Sequence, residues 1–74
     1  MENKKTISQI VGENLKFARK LKGVTQTQIA KELGKYQSDY SDYERGEIEL
    51  DYQKIVYLCK RFDITPNDLF GFED

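Results

Sequence analysis

Apolar residues recur at helical spacing in five separate runs along the chain, and residues that cap or break a helix bound each run. The first run takes in Ile7, Val11, Leu15 and Ala18, one buried stripe of a helix. A neighbouring stripe holds Ile10, Phe17 and Leu21. Thr6 precedes the run and Gln9 follows it by three residues, the spacing of a capping box. Lys16, Arg19, Lys20 and Lys22 gather toward the far end, where positive charge suits the helix dipole. Gly23 ends the element.

The second run is short. Thr25 is a good N-cap, Gln28 stands at the capping-box position, and Ile29, Ala30 and Leu33 form the apolar face. Gly34 is a natural C′ residue that permits a left-handed turn. The stretch KYQSDYSDYER, between Gly34 and Gly46, reads as a third short helix that begins at Tyr36 or Gln37. Tyr40 and Tyr43, three apart, are its inward candidates, with their hydroxyls at the rim. Gln37, Ser38, Asp39, Ser41 and Asp42 then face outward.

The stretch EIEL is a loop, and Asp51 caps a fourth helix whose stripe is Ile55, Leu58, Cys59 and Phe62. DITP breaks that helix. Thr65 caps a fifth, with Pro66 at its first position and Asp68 at its third. Leu69, Phe70 and Phe72 close the chain. The expectation is an all-α fold of five helices in one domain over 1–74, without repeat, low-complexity segment or linker.

Charge alters this picture more than bulk composition does. The net charge is −1, where a non-specific nucleic-acid binder is normally basic. The distribution is uneven. Residues 1–37 hold eight Lys/Arg against three Asp/Glu, and residues 38–74 hold four against ten. The charge distribution allows a basic face, built mainly from the N-terminal half, and the acidic half opens inside the third helix.

Catalytic chemistry finds little footing. The single cysteine, Cys59, has no histidine to serve as its base, because the chain contains none. No cluster of metal ligands is evident, and Cys59 reads as a small buried apolar residue. No cofactor and no enzyme activity are expected. One cysteine forms no intrachain disulfide, which suits a reducing cytoplasm. No stretch is apolar for long enough to span a bilayer, and MENKKTIS lacks the apolar run of a signal peptide. A cytoplasmic location follows.

Val11-Gly12, Leu15 and Arg19, then TQTQIAKELG, SDYERG and DYQKIVYLCKRFDITPNDLF, resemble the Cro and phage-repressor helix-turn-helix family, also called the XRE family. The resemblance runs from about Val11 to Phe70. It implies a lambda-repressor-like DNA-binding domain of bacterial or phage origin, with the helix-turn-helix at helices 2 and 3. Ala30 then sits where helix 2 crosses helix 3. Glu44 lies on the inner side of helix 3, where a buried carboxylate needs a partner, and the resemblance implies that Arg19 supplies it.

In that family helix 3 lies in the major groove and helix 2 crosses the backbone. Carried over by position, Gln26 binds a phosphate. Gln37, Ser38 and Asp42 occupy the base-reading positions, with Asp39 beside them. Tyr36 and Arg45 flank helix 3 as phosphate candidates. Gln37 can bond adenine at N6 and N7, and Asp can accept from cytosine N4.

The sequence also departs from the family pattern. Asp39 and Asp42 place negative charge against a polyanion. Lys35 replaces an apolar turn residue, Tyr36 replaces a Ser or Thr N-cap, and Leu50 stands where proline is common. Glu47, Glu49 and Asp51 add negative charge to a loop that often nears the backbone.

Two readings follow. In the first the chain is a sequence-specific regulator of double-stranded DNA, a repressor before an activator, with weak non-specific affinity. In the second the helix-turn-helix is a protein-binding module whose acidic helix 3 docks a basic partner. On the first reading a homodimer places two recognition helices roughly 34 Å apart on an operator with an inverted repeat. Its interface candidates are the C-terminal Phe70 and Phe72, with Phe17, Ile64 and Leu69 beside them, although Ile64 and Leu69 also suit the monomer's own core. No small-molecule ligand is expected, because no further domain is present to hold an inducer.

Overall fold

The computed structural model describes residues 4–72, which form five α-helices: α1 (Ile7–Leu21), α2 (Gln26–Glu32), α3 (Gln37–Arg45), α4 (Tyr52–Phe62) and α5 (Pro66–Phe70). Residues 1–3, which begin the MENKKTIS stretch, and residues 73–74 lie outside the described residues. The described residues contain no strand, so the fold is all-α.

Side-chain caps start four of the five helices. Thr6, Thr25, Asp51 and Thr65 each accept a hydrogen bond from the third backbone N–H of their helix. The three threonines complete reciprocal capping boxes with Gln9, Gln28 and Asp68. Such caps satisfy backbone donors that a helix cannot satisfy internally. The exception is α3. Its N-cap, Tyr36, makes no side-chain cap and stands exposed.

Every helix contributes to one core. Leu15, Ile29, Tyr40, Leu58, Phe62 and Leu69 are fully buried. Burial of each apolar side chain is worth roughly 1.5–3 kcal/mol. Helix α1 is the spine: it packs on α3 along one side and on α5 along another, while α2 packs on α3 and α4 on α5.

The contact between α1 and α3 brings backbone to backbone. A Cβ on Gly12 would lie 2.4 Å from the carbonyl oxygen of Glu44 and 2.6 Å from that of Tyr43. Only hydrogen fits there. At the far end of α3, Gly46 takes φ 78° and abuts the Gln9 backbone at 2.7 Å from a Cβ position. These two approaches fix the end of α3 that carries Glu44 against α1.

The core is narrower than the apolar pattern predicts. Val11, Leu15 and Ala18 are buried, but Ile7 at the head of that stripe is 67% exposed. It lies past the edge of its neighbours, on a cleft that Ile48, Tyr52 and Phe70 also line. Phe17 and Leu21 of the second stripe are 66% and 71% exposed. Ile64 and Asp68, from the α4–α5 end of the chain, line a shallow cleft with them. At the C-terminus Leu69 is buried, Ile64 and Phe70 pack against the core, and Phe72 is exposed. The Phe70 and Phe72 rings stack with centroids 6.5 Å apart.

Candidate nucleic-acid interface

The base of the site is a buried ion pair. Arg19 on α1 and Glu44 on α3 are 7% and 6% exposed. Arg19 Nε donates to Glu44 Oε2 at 2.6 Å and Nη2 donates to Oε1 at 3.1 Å, a two-pronged pairing. Arg19 Nη1 donates to the carbonyl of Val24 at 2.8 Å, just before α2. One guanidinium thus ties α1, α3 and the entry to α2 together.

Glu44 takes two further donors. The Tyr40 hydroxyl donates to Oε2 at 2.7 Å, and Gln26 Nε2 donates to Oε1 at 2.8 Å. Burial alone pushes the Glu44 carboxyl up. The hydrogen bonds from Arg19, Tyr40 and Gln26 outweigh it and leave Glu44 below its ordinary value. Tyr40 is held above its own ordinary value, first by burial and then by its bond to Glu44. No buried side-chain nitrogen or oxygen among the described residues lacks a partner.

Tyr40 therefore departs from its expected place. Its hydroxyl does not sit at the rim; the side chain is fully buried and the hydroxyl turns inward to Glu44. The signal was present in the spacing, because residues four apart on a helix share a face.

From this base the network climbs to the surface. Glu44 is an ionised acceptor, so Gln26 must present its amide nitrogen to it. That leaves Gln26 Oε1 facing away, where it accepts from Gln37 Nε2 at 2.6 Å. Gln37 is the first residue of α3 and is exposed. It retains a carbonyl oxygen and a second N–H.

The outer face of α3 divides in two. Ser38 and Asp39 are exposed, and Asp39 makes no ion pair among the described residues. Ser41 and Asp42 are half-buried rather than fully outward. Both are held by Arg45, whose Nη1 donates to Ser41 Oγ at 2.6 Å and whose Nη2 pairs with Asp42 Oδ1. The expected phosphate contact Arg45 and the expected base reader Asp42 are thus engaged with each other. Lys35, at the turn, places its ammonium 5.9 Å from the centre of the Tyr43 ring, a cation–π distance that gives this polar turn residue a packing role.

A second network braces α2 from behind. Glu32 accepts from Tyr57 at 2.6 Å and from Arg61 at 2.8 and 3.0 Å, which joins α2 to α4. Nothing in the apolar pattern pointed to it. Cys59 is buried and burial raises its thiol. No described helix is long and apolar enough to cross a membrane.

A seven-residue helix, a tight turn at Gly34 and a nine-residue helix held end to end by a shared polar network make a helix-turn-helix. A family model for the helix-turn-helix domain matches residues 12–72, and the chain belongs to that family. It is of the XRE type.

The uncharacterized HTH-type transcriptional regulator YqaE of Bacillus subtilis is 38% identical over 61 residues, 82% of this chain and 53% of that protein. Antitoxin PezA of Streptococcus pneumoniae serotype 4 is 29% identical over 62 residues, 84% of this chain and 39% of that protein. The chain thus spans about half the length, or less, of these curated relatives. The clp gene regulator ClgR from C. glutamicum shares the fold, with a TM-score of 0.83 at 21% identity over 96% of this chain and 91% of that one.

Proposed function

We propose that the chain is a sequence-specific binder of double-stranded DNA and acts as a transcriptional regulator, a repressor before an activator, with α3 in the major groove. The observation that carries this is the bond sequence Arg19–Glu44–Gln26–Gln37. It runs from a buried ion pair to an exposed glutamine at the start of α3 and fixes which way that amide faces. The free carbonyl and N–H of Gln37 match N6 and N7 of adenine. On this reading the second N–H of Gln26 takes a phosphate, Tyr36 flanks the same end of α3, and Ser38 and Asp39 extend the reading face. The relative named as an HTH-type transcriptional regulator supports the same reading.

A homodimer is part of this proposal. Phe72, exposed and stacked on Phe70, is its leading apolar contact. The operator is an inverted repeat with half-sites one helical turn apart.

Selection of bound duplexes from a random DNA pool at low salt, run in parallel with Gln37→Ala, tests the proposal. The expected result is an enriched inverted repeat whose preference relaxes at one position per half-site in the variant. No enrichment at any salt would reject it. The bare Asp39 on an acidic α3 would then favour a basic protein partner.

A further inference from the structure

The acidic residues on α3 are not equivalent, and the difference lies in Arg45. Ser38, Asp42 and Arg45 stand at i, i+4 and i+7, so they share one stripe of α3. Arg45 is the basic residue of the last turn. Its side chain is 57% exposed while that of Asp42 is 27% exposed. Both terminal nitrogens of the guanidinium are occupied, Nη1 by Ser41 and Nη2 by Asp42. Asp39, one turn earlier, has no such cation among the described residues.

We infer that Arg45 is a phosphate contact held in reserve, and that Asp42 is its positioning counter-ion rather than a base reader. This rests on the DNA reading above. This partly exposed ion pair is of modest strength, so a phosphate held in register can displace the carboxylate from the guanidinium. A random duplex fixes no register, so the pair stays closed and Asp42 adds only repulsion. A matched site fixes the register through the base contacts of Gln37 and its neighbours and presents a phosphate to Arg45. Asp42 therefore lowers affinity for random DNA more than affinity for the operator. It acts on the specificity ratio, the quantity that matters when competing sites are abundant.

The test is a salt series of binding titrations on a labelled random duplex and on the selected one. It uses the unsubstituted chain, Asp42→Asn, Arg45→Gln and the double variant, with thermal melts to confirm folding. Asp42→Asn is expected to bind random duplex about tenfold more tightly. The plot of log affinity against log salt should steepen by about 0.9, the value for one added phosphate contact. Its base preferences should stay those of the unsubstituted chain. The double variant should lose both the gain and the steeper slope.

Three results would overturn the inference while leaving the DNA reading intact. In one, the gain persists without Arg45, which is simple charge removal. In another, the slope is unchanged in Asp42→Asn. In the third, base preference relaxes at one position per half-site, which makes Asp42 a reader. Failure of every variant to bind any duplex at low salt would overturn both proposals together.

Discussion

Gln26 Nε2 lies 2.8 Å from Glu44 Oε1, and this bond joins the buried half of the polar network to its exposed half. On the inner side stand Arg19 and Tyr40, both donors to the same carboxylate. On the outer side stands Gln37, donor to Gln26. Because ionised Glu44 can only accept, the direction of every bond in the series follows from its charge.

Replacement of Gln26 by leucine should therefore loosen base choice more than it loosens the fold. The Arg19–Glu44 pair would remain, and Gln37 would be free to turn its amide either way. Discrimination at the position Gln37 reads should fall by about tenfold, within the roughly 1–3 kcal/mol of a bidentate base contact. Parallel titrations on the selected duplex and on one changed at that position measure it.

Arg19→Met should be strongly destabilising. It leaves Glu44 buried with no cation, and a broken buried pair typically costs about 3–5 kcal/mol. The double variant Arg19→Met/Glu44→Leu should be less destabilised than the sum of the single changes, because the orphaned charge is gone. Urea unfolding of the three variants gives the coupling directly. Additive losses would mean that the pair contributes nothing as a pair.

Acid should act through the same carboxylate. Glu44 sits below its ordinary value of 4.5 in the folded chain. Its contribution to stability is then fully present above that value and is lost as pH falls through the lower, folded one. Exposed Glu32 and Asp51 are shifted the same way, but water screens them and their share is small. Tyr40 has the opposite sign. Held above 10.0, it contributes below that pH and loses its contribution as pH rises beyond it. Unfolding midpoints measured from about pH 2 to about pH 6 should climb and then level, and Glu44→Gln should flatten the climb.

Gly12→Ala should destabilise the fold although alanine is the better helix former. A methyl group 2.4 Å from a backbone oxygen of α3 cannot be accommodated by a side-chain rotation. The helices must separate, and overpacking of this kind costs about 1–3 kcal/mol or more, against about 1 kcal/mol gained in helix propensity. The same separation moves α3 and should weaken DNA binding. A thermal melt above that of the unsubstituted chain would contradict the packing described here.

The elements were legible in the sequence because caps and breakers are local. Thr6, Thr25, Asp51 and Thr65 announce their helices, and each caps one. Stripes were less reliable at their ends. Ile7, Phe17 and Leu21 share the periodicity of buried neighbours but extend past the elements that could cover them. Periodicity records which face a residue is on, not how far the opposing helix reaches. The site was legible as a set of positions and not as a set of bonds. Gln26, Gln37 and Glu44 are eleven and seven residues apart in sequence, and only the crossing of α2 over α3 makes them neighbours. The Arg45–Asp42–Ser41 cluster lies within about one helix turn, but helical periodicity gives only the outward direction of each side chain and not the bonds among them.

The most direct test of the central claim, that α3 and the start of α2 form the DNA-reading face, is a titration of the isotope-labelled chain with a random-sequence duplex at low salt, followed by NMR. The predicted shifts concentrate on the side-chain amides of Gln26 and Gln37 and on the backbone of Ser38, Asp39 and Asp42, with α4 and the α4–α5 corner unmoved. Shifts confined to α4 and α5, or no shift with duplex while a basic peptide moves α3, would contradict it.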